Sequence, residues 1–316
     1  MTISLSSYIH TPIPLASSMK LHRVKAITAA MNIEIHSRKL IKPLVSTPLN
    51  RRCYKISIID EFAPNMNLPL VLFFPPNSKY NLMFVKKLEE SLEKALTFLY
   101  PLAGRYMEHL RTVDCNDQGI DFIQAQADIT VQEILDPKID PMLINNFVPS
   151  KSRVLNHTDA ILATQITMLK CGGLALGVSI SHRIGDASTV INFLNQWATL
   201  SQRDTNVETG GIDFTLFSLS PAQGLPCVEA GFSNLVNDDD YVTKKLSFNE
   251  SAISNMKENV KLTGKRSTHR LSKVQLVSAL IWKAFLGIDH AIYGQPRDSV
   301  LVQPVALRQK KEKWYP

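Results

Sequence analysis

The sequence predicts an α/β protein of two domains, each with strands and helices. Three observations predict it. Short segments of alternating or continuous apolar character take turns along the chain with stretches of helical periodicity. From Leu174 to Trp197 an apolar run passes through a polar turn directly into an amphipathic pattern, the order of a buried strand, a tight turn and a helix. Between residues 201 and 240 the periodicity is lost and Gly, Asn, Thr and the aspartates Asp238 to Asp240 accumulate, so a linker divides the chain. At 316 residues and 45% hydrophobic content, the chain can bury a core in each of two domains.

Residues 1–30 are serine-rich, carry a few basic groups and contain no Asp or Glu. They read as a disordered N-terminal extension to be left out of fold reasoning, although the composition is also that of an organellar transit peptide. The first domain is expected over residues 31–200. Ile33 and Ile35 alternate with Glu34 and His36, and Tyr54, Ile56 and Ile58 with Lys55 and Ser57, so both segments read as half-buried strands. Asp60 to Pro69 reads as a loop and Leu70 to Phe74 as a buried strand stopped by Pro75-Pro76. Asn81 caps a predicted helix with Val85, Leu88, Leu92, Ala95, Leu96 and Leu99 on one face, ended by Pro101. Gly119 to Ile123 and Ile161 to Leu169 are further strands, the second joined to the Leu174 strand by a Gly172-Gly173 hairpin turn. After a crossover linker at 201–240, a second domain is expected over 241–316. It begins with a strand through Val242, Leu246 and Phe248. A helix capped by Asn249 follows, then one capped by Ser272 that buries Leu276, Val277, Leu280, Ile281, Ala284 and Phe285, and then a strand from Ser299 to Val305.

The chemistry points to Ser181-His182-Arg183-Ile184-Gly185-Asp186. A strand behind His182 and a helix ahead of it would hold the imidazole at the lip of a sheet, and Gly185 would allow the sharp reversal. Taken alone, a histidine four residues before an aspartate is a weak signal: His182 could be a structural histidine, and Asp186 simply the N-cap of the next helix.

Composition excludes several classes. The net charge of +7 comes from scattered groups, with no basic stripe interleaved with aromatics, so nucleic acid is not an expected partner. No uninterrupted apolar run reaches the roughly 18 residues of a membrane span, so no bilayer crossing is expected. Cys53, Cys115, Cys171 and Cys227 lack pairwise spacing and read as reduced thiols of a cytoplasmic protein. His157 and Asp159 do not make a metal site with His182, and no metal is expected. Gly177-Val178-Ser179-Ile180-Ser181 lacks the second glycine of a nucleophile elbow, and neither a dinucleotide fingerprint nor a phosphate loop is present.

Three motifs in order lift the reading above the single histidine. Tyr100-Pro101-Leu102-Ala103-Gly104-Arg105, the Ser181 to Asp186 stretch and Leu301-Val302-Gln303-Pro304-Val305-Ala306-Leu307-Arg308 together closely resemble the plant BAHD family of acyl-CoA-dependent acyltransferases, in its alkaloid O-acyltransferase branch. The resemblance runs from about Met31, where Met31-Asn32-Ile33-Glu34-Ile35 looks like the usual family beginning, to the end of the chain. It departs in one respect: the Asp-Phe-Gly-Trp-Gly signature near the family's C-terminus does not occur here, so the second domain is expected to be incomplete.

The resemblance implies a two-domain chloramphenicol-acetyltransferase-like fold, with mixed β-sheets flanked by helices, and a monomer with no bound cofactor. Acyl-CoA would be the co-substrate and a small-molecule alcohol the acceptor. It assigns His182 the role of general base and Asp186 a supporting one, paired with an arginine for which Arg308 is the candidate by motif position; Gly185 is supporting, and the residues that hold coenzyme A are not identified. A histidine suits proton abstraction near neutral pH. Two other classes remain open, an inactive remnant that at most binds, and a carrier-protein-dependent condensation enzyme. The latter usually doubles the histidine, where Ser181 stands here.

Overall fold

The computed structural model describes residues 31–149, 159–202, 220–224, 246–262, 271–295 and 297–301. These fall into two compact units, one ending within the crossover at 224 and one beginning at 246.

The first unit is built on a five-stranded sheet in the order β1-β6-β7-β8-β3, from β1 (Ile33–Ile41), β3 (Asn67–Phe74), β6 (Ile120–Ala127), β7 (Leu162–Leu169) and β8 (Leu174–Ser181). The sheet is mixed: β6 and β7 run parallel and the other pairs antiparallel. A smaller sheet, β2-β5-β4, comprises β2 (Cys53–Lys55), β4 (Arg105–Met107) and β5 (Thr112–Asp114). The β7–β8 hairpin turns at the glycine pair, where the Gly172 N–H donates to the Leu169 carbonyl at 2.8 Å and φ of Gly172 is +79°. Only glycine takes that conformation without strain.

The two faces of β8 differ in size. Leu174, Leu176, Val178 and Ile180 face the main core, with Leu162 and Ile166 of β7 and Leu68, Leu70 and Phe74 of β3. Helices α2 (Leu82–Phe98) and α4 (Ala187–Gln202) pack against each other over this core, contributing Val85, Leu92, Leu96, Val190, Phe193 and Trp197. The opposite face carries only Ala175, Gly177, Ser179 and Ser181, and there the 3-10 segment Pro141–Phe147 closes on the strand. The Gln165 side-chain amide donates to the Asn146 carbonyl at 3.1 Å from the neighbouring strand. A run that reads as uniformly apolar is thus an alternation of large and small residues, as a strand packed on both faces by partners of different bulk requires.

Trp197 ties α4 to α2: its indole N–H donates to the Leu88 carbonyl at 2.8 Å and to Ser91 Oγ at 3.1 Å. Trp197→Phe keeps most of the apolar bulk and removes both bonds. Thermal unfolding of the variant is expected to show a loss of about 1–2 kcal/mol.

Several expected elements change form. Ser57 and Asp60 make a capping box that opens helix α1 (Ile58–Phe62), so the predicted strand ends at Lys55 and Ile58 is helical. The signal was an S-x-x-D spacing, overridden in the reading by the Ile56/Ile58 alternation. A second box, Thr130 with Glu133, opens α3 (Val131–Leu135). Strand β3 begins three residues earlier than expected, at Asn67; its position at a sheet edge tolerates Pro69. In β1 the register shifts between Ile35 and Ser37 and leaves Ile35 59% exposed, so it is not the inward residue that the alternation suggested.

The second unit contains α5 (Glu250–Leu262), whose Ala252 N–H is accepted by the Asn249 side chain at 2.8 Å, and α6 (Lys273–Tyr293), opened by a Ser272–Gln275 capping box. The two helices pack through Ile253, Leu276 and Val277. The buried face expected of α6 is found only in part: Leu276 and Val277 are buried, Ile281 and Phe285 half-buried, and Leu280 and Ala284 exposed, because among the described residues only α5 packs extensively against this helix. By length and composition α6 is also apolar enough to cross a membrane, although Lys283 and Asp289 interrupt its apolar run. Leu246, Phe248 and 299–301 lie in no strand, and Val242 and 302–305 fall outside the described residues.

Candidate active site

Strand β8 ends at Ser181 and the chain turns at once. The N–H groups of Ile184 and Gly185 both donate to the Ser181 carbonyl, at 3.1 and 2.9 Å, closing one helix-like turn before α4. His182 stands first in that turn, and its N–H donates to the Met66 carbonyl at 2.8 Å, just before β3. The imidazole is half-buried; its Nδ1 is enclosed and makes no hydrogen bond among the described residues. The enclosed Nδ1 is out of reach of a bound group, so proton abstraction by this side chain would fall to Nε2.

Gly185 is required for a different reason from the one expected. Its φ is not positive, so the reversal does not need glycine; a Cβ at this position would lie 2.4 Å from Cδ1 of the fully buried Ile180 and 3.2 Å from Cγ2 of Thr189. The turn packs flat on the end of its own strand.

Asp186 is the N-cap of α4: its Oδ1 accepts from the Thr189 N–H and from Thr189 Oγ1, each at 2.9 Å. Asp186→Ala is expected to cost about 1 kcal/mol, read from the midpoint of denaturant unfolding. His182, Gly185 and Asp186 therefore share one turn. Arg308, the expected partner of Asp186, lies outside the described residues, as do His157 and Cys227. Asp159 is described, and no group of His, Cys, Asp and Glu among the described residues could hold a metal.

Around the turn lie polar groups that the sequence did not flag. Arg183 is 2% exposed and its Nε has no hydrogen-bond partner among the described residues. Nearby, the buried Tyr106 hydroxyl also lacks a hydrogen bond of good geometry among the described residues; burial pushes its pKa up, and the positive charge of Arg183 acts in the opposite direction. Arg105 of the Tyr100 to Arg105 motif does open β4, and its Nη1 donates to the Gly104 and Gly119 carbonyls at 2.7 and 2.8 Å. Burial pushes its pKa down, against the charges of Asp121 and Asp159. The Cys115 thiol is pushed up to about 12 by burial and is no nucleophile.

Glu61 of α1 is fully buried. Its carboxylate accepts from the N–H of Gln223 at 2.7 Å and of Gly224 at 3.0 Å, and pairs with Arg111 Nη1 at 2.8 Å. Burying a carboxylate demands such partners.

This arrangement matches known proteins over most of its length. The Transferase family model matches residues 31–314. The chain is 31% identical to vinorine synthase of Rauvolfia serpentina over 89% of its own length and 66% of that protein. It is 30% identical to stemmadenine O-acetyltransferase of Catharanthus roseus, over 91% of this chain and 68% of the relative. The crystal structure of vinorine synthase superposes with a TM-score of 0.71 at 31% identity, covering 83% of this chain and 62% of that one. A Fusarium protein, F. sporotrichioides TRI101 complexed with coenzyme A and T-2, shares the fold at 18% identity, with a TM-score of 0.56 over 76% of this chain and 60% of the other. The chain spans about two thirds of the length of these relatives. With the mixed sheet, the flanking helices and the three ordered motifs, these matches show that the chain belongs to the Transferase family, the BAHD acyltransferases with a chloramphenicol-acetyltransferase-like fold.

Proposed function

We propose that the chain moves an acyl group, acetyl, from acyl-CoA to a hydroxyl of a plant specialised metabolite, with His182 as general base. The observation that carries the reading is the half-buried His182 at the strand end of a fold shared with vinorine synthase. An imidazole nitrogen takes the hydroxyl proton as the oxygen attacks the thioester carbonyl. The tetrahedral adduct then collapses, the C–S bond breaks, and the imidazolium returns its proton to the departing sulfur, leaving ester and free thiol. No acyl-enzyme is needed: Ser181 Oγ is enclosed and Cys115 is held as a thiol, so the gain comes from orienting the two substrates. Stemmadenine O-acetyltransferase and an acetyl-CoA-benzylalcohol acetyltransferase of Clarkia breweri, 30% identical over 89% of this chain, support acetyl-CoA and an alcohol over an amine. The unpaired thiols of Cys53, Cys115 and Cys171 support a reducing compartment, the cytoplasm.

A second reading, binding without turnover, draws on the exposed apolar side chains of α6. One experiment separates the two. The protein is mixed with acetyl-CoA and a panel of alcohols that includes benzyl alcohol and indole-alkaloid alcohols, and free thiol is measured. Alcohol-dependent thiol release supports acyl transfer. Release no faster than spontaneous hydrolysis with every alcohol would reject it, and a requirement for a carrier-bound thioester would reassign the chain to condensation chemistry.

A further inference from the structure

We propose that Glu61 is a positioning residue: a buried latch that fastens the crossover segment to the first unit and, through the loop that follows it, holds the backbone of His182. The inference rests on the acyl-transfer reading for its functional consequence and on geometry for the latch itself.

Two independent contacts seat residues 220–224 beside α1. The Ile58 N–H donates to the Ser220 carbonyl at 2.9 Å as part of an isolated antiparallel bridge between Ser57 and Pro221, and the Glu61 carboxylate accepts from two successive backbone N–H groups, those of Gln223 and Gly224. Gly224 has a φ of +76°, which helps present its N–H beside that of Gln223 to one carboxylate. Arg111 closes the remaining side, from a left-handed backbone conformation (φ 51°) that a non-glycine residue adopts only where its surroundings hold it. The small β-sheet, helix α1 and the crossover thus meet at one fully buried carboxylate.

The second half of the argument follows the chain. Four residues separate Glu61 from Met66, and the loop between them is braced by the Ala63 N–H on the Asp60 carbonyl at 3.1 Å and the Met66 N–H on the Pro64 carbonyl at 2.9 Å. The Met66 carbonyl then accepts the N–H of His182. The Met66 carbonyl that holds the histidine is thus placed from two sides, by the β3–β8 ladder that begins at Asn67 and Ser181 and by the loop fastened through α1. Glu61 touches no reacting atom and acts only through this loop.

The test is amide hydrogen exchange on the full chain, comparing the wild type with Glu61→Gln. That variant keeps the side chain's shape but replaces one of the two accepting oxygens by an NH2 group, which must face the N–H of either Gln223 or Gly224. Gln223→Pro, which leaves Glu61 in place and deletes one of the donated groups, serves as the second variant should the first fail to fold. In either variant the amides of Gly224 and His182 are expected to exchange at least about 10-fold faster, with the β8 amide of Val178 unchanged as the internal reference. Where acetyl transfer to an alcohol is measurable, kcat is expected to fall about 10-fold with KM for acetyl-CoA within about twofold. Faster exchange at Gly224 with His182 unchanged would overturn the coupling, and no change at either would overturn the latch. An absence of acetyl transfer in the wild type would sink the acyl-transfer reading alone, because the exchange comparison still decides the latch.

Discussion

Gly177→Ala is expected to destabilise the first unit by more than about 3 kcal/mol and to lower its Tm by on the order of 10 °C. A Cβ at this position would lie 1.8 Å from the backbone oxygen of Phe147 and 2.9 Å from its carbonyl carbon. No rotamer change relieves such an overlap, because both parties are main chain. Strand β8 is held between β7 and β3 and cannot retreat without breaking one ladder. The 3-10 segment Pro141–Phe147 would have to lift, and Phe147, fully buried and in edge contact with Phe73 at 5.4 Å, would lift with it. Calorimetry of the variant checks the expectation, and Gly287→Ala provides the contrast. Gly287 lies within α6 with nothing near its would-be Cβ, so alanine there should be neutral or stabilise by up to about 1 kcal/mol. Equal melting of wild type and Gly177→Ala would mean that the strand and the 3-10 segment do not meet as described.

His182→Ala is expected to lower the turnover of acyl transfer by about 10²- to 10⁴-fold, the range over which a positioned general base contributes. The loss should fall on kcat, with the KM for acyl-CoA little changed and thermal unfolding near that of the wild type. The last expectation follows from the structure: the imidazole is only half-buried and its Nδ1 makes no hydrogen bond, so truncation removes little packing and no polar contact. The backbone hydrogen bond to Met66 survives the substitution. Stopped-flow measurement of free thiol, paired with a melting curve, reads both quantities. A variant that retains wild-type turnover would remove His182 from the mechanism.

The elements read correctly from sequence are those whose determinants sit within a turn or two of one another. Helices α2, α5 and α6 begin where Asn81, Asn249 and Ser272 stand because each side chain caps N–H groups two or three residues ahead. The β7–β8 hairpin was legible in its glycine pair, and the strand, turn and helix around His182 in the change of hydrophobic period at Ser181. Errors arose where two local signals competed. At Ile58 the strand-like alternation outweighed the Ser57–Asp60 capping box, and at Ile35 the alternation was right until the β1 register shifted. The apolar face of α6 was read as buried from its periodicity, which fixes which residues share a face and says nothing of what covers them.

Within the site, His182 and the cap at Asp186 were visible in the sequence, whereas Glu61 was not, since its backbone partners lie 162 and 163 residues away. By itself the sequence determined the family, the order of strands and helices around the histidine, and the residues able to start and stop them, because hydrophobic period, caps and turn residues act on near neighbours. Only the tertiary structure decided why Gly185 and Gly177 must lack a side chain, which carboxylate is buried, and what holds the backbone of His182. Those depend on which distant segments come within a few ångströms of each other, and close packing and the desolvation of charge act only once they have met.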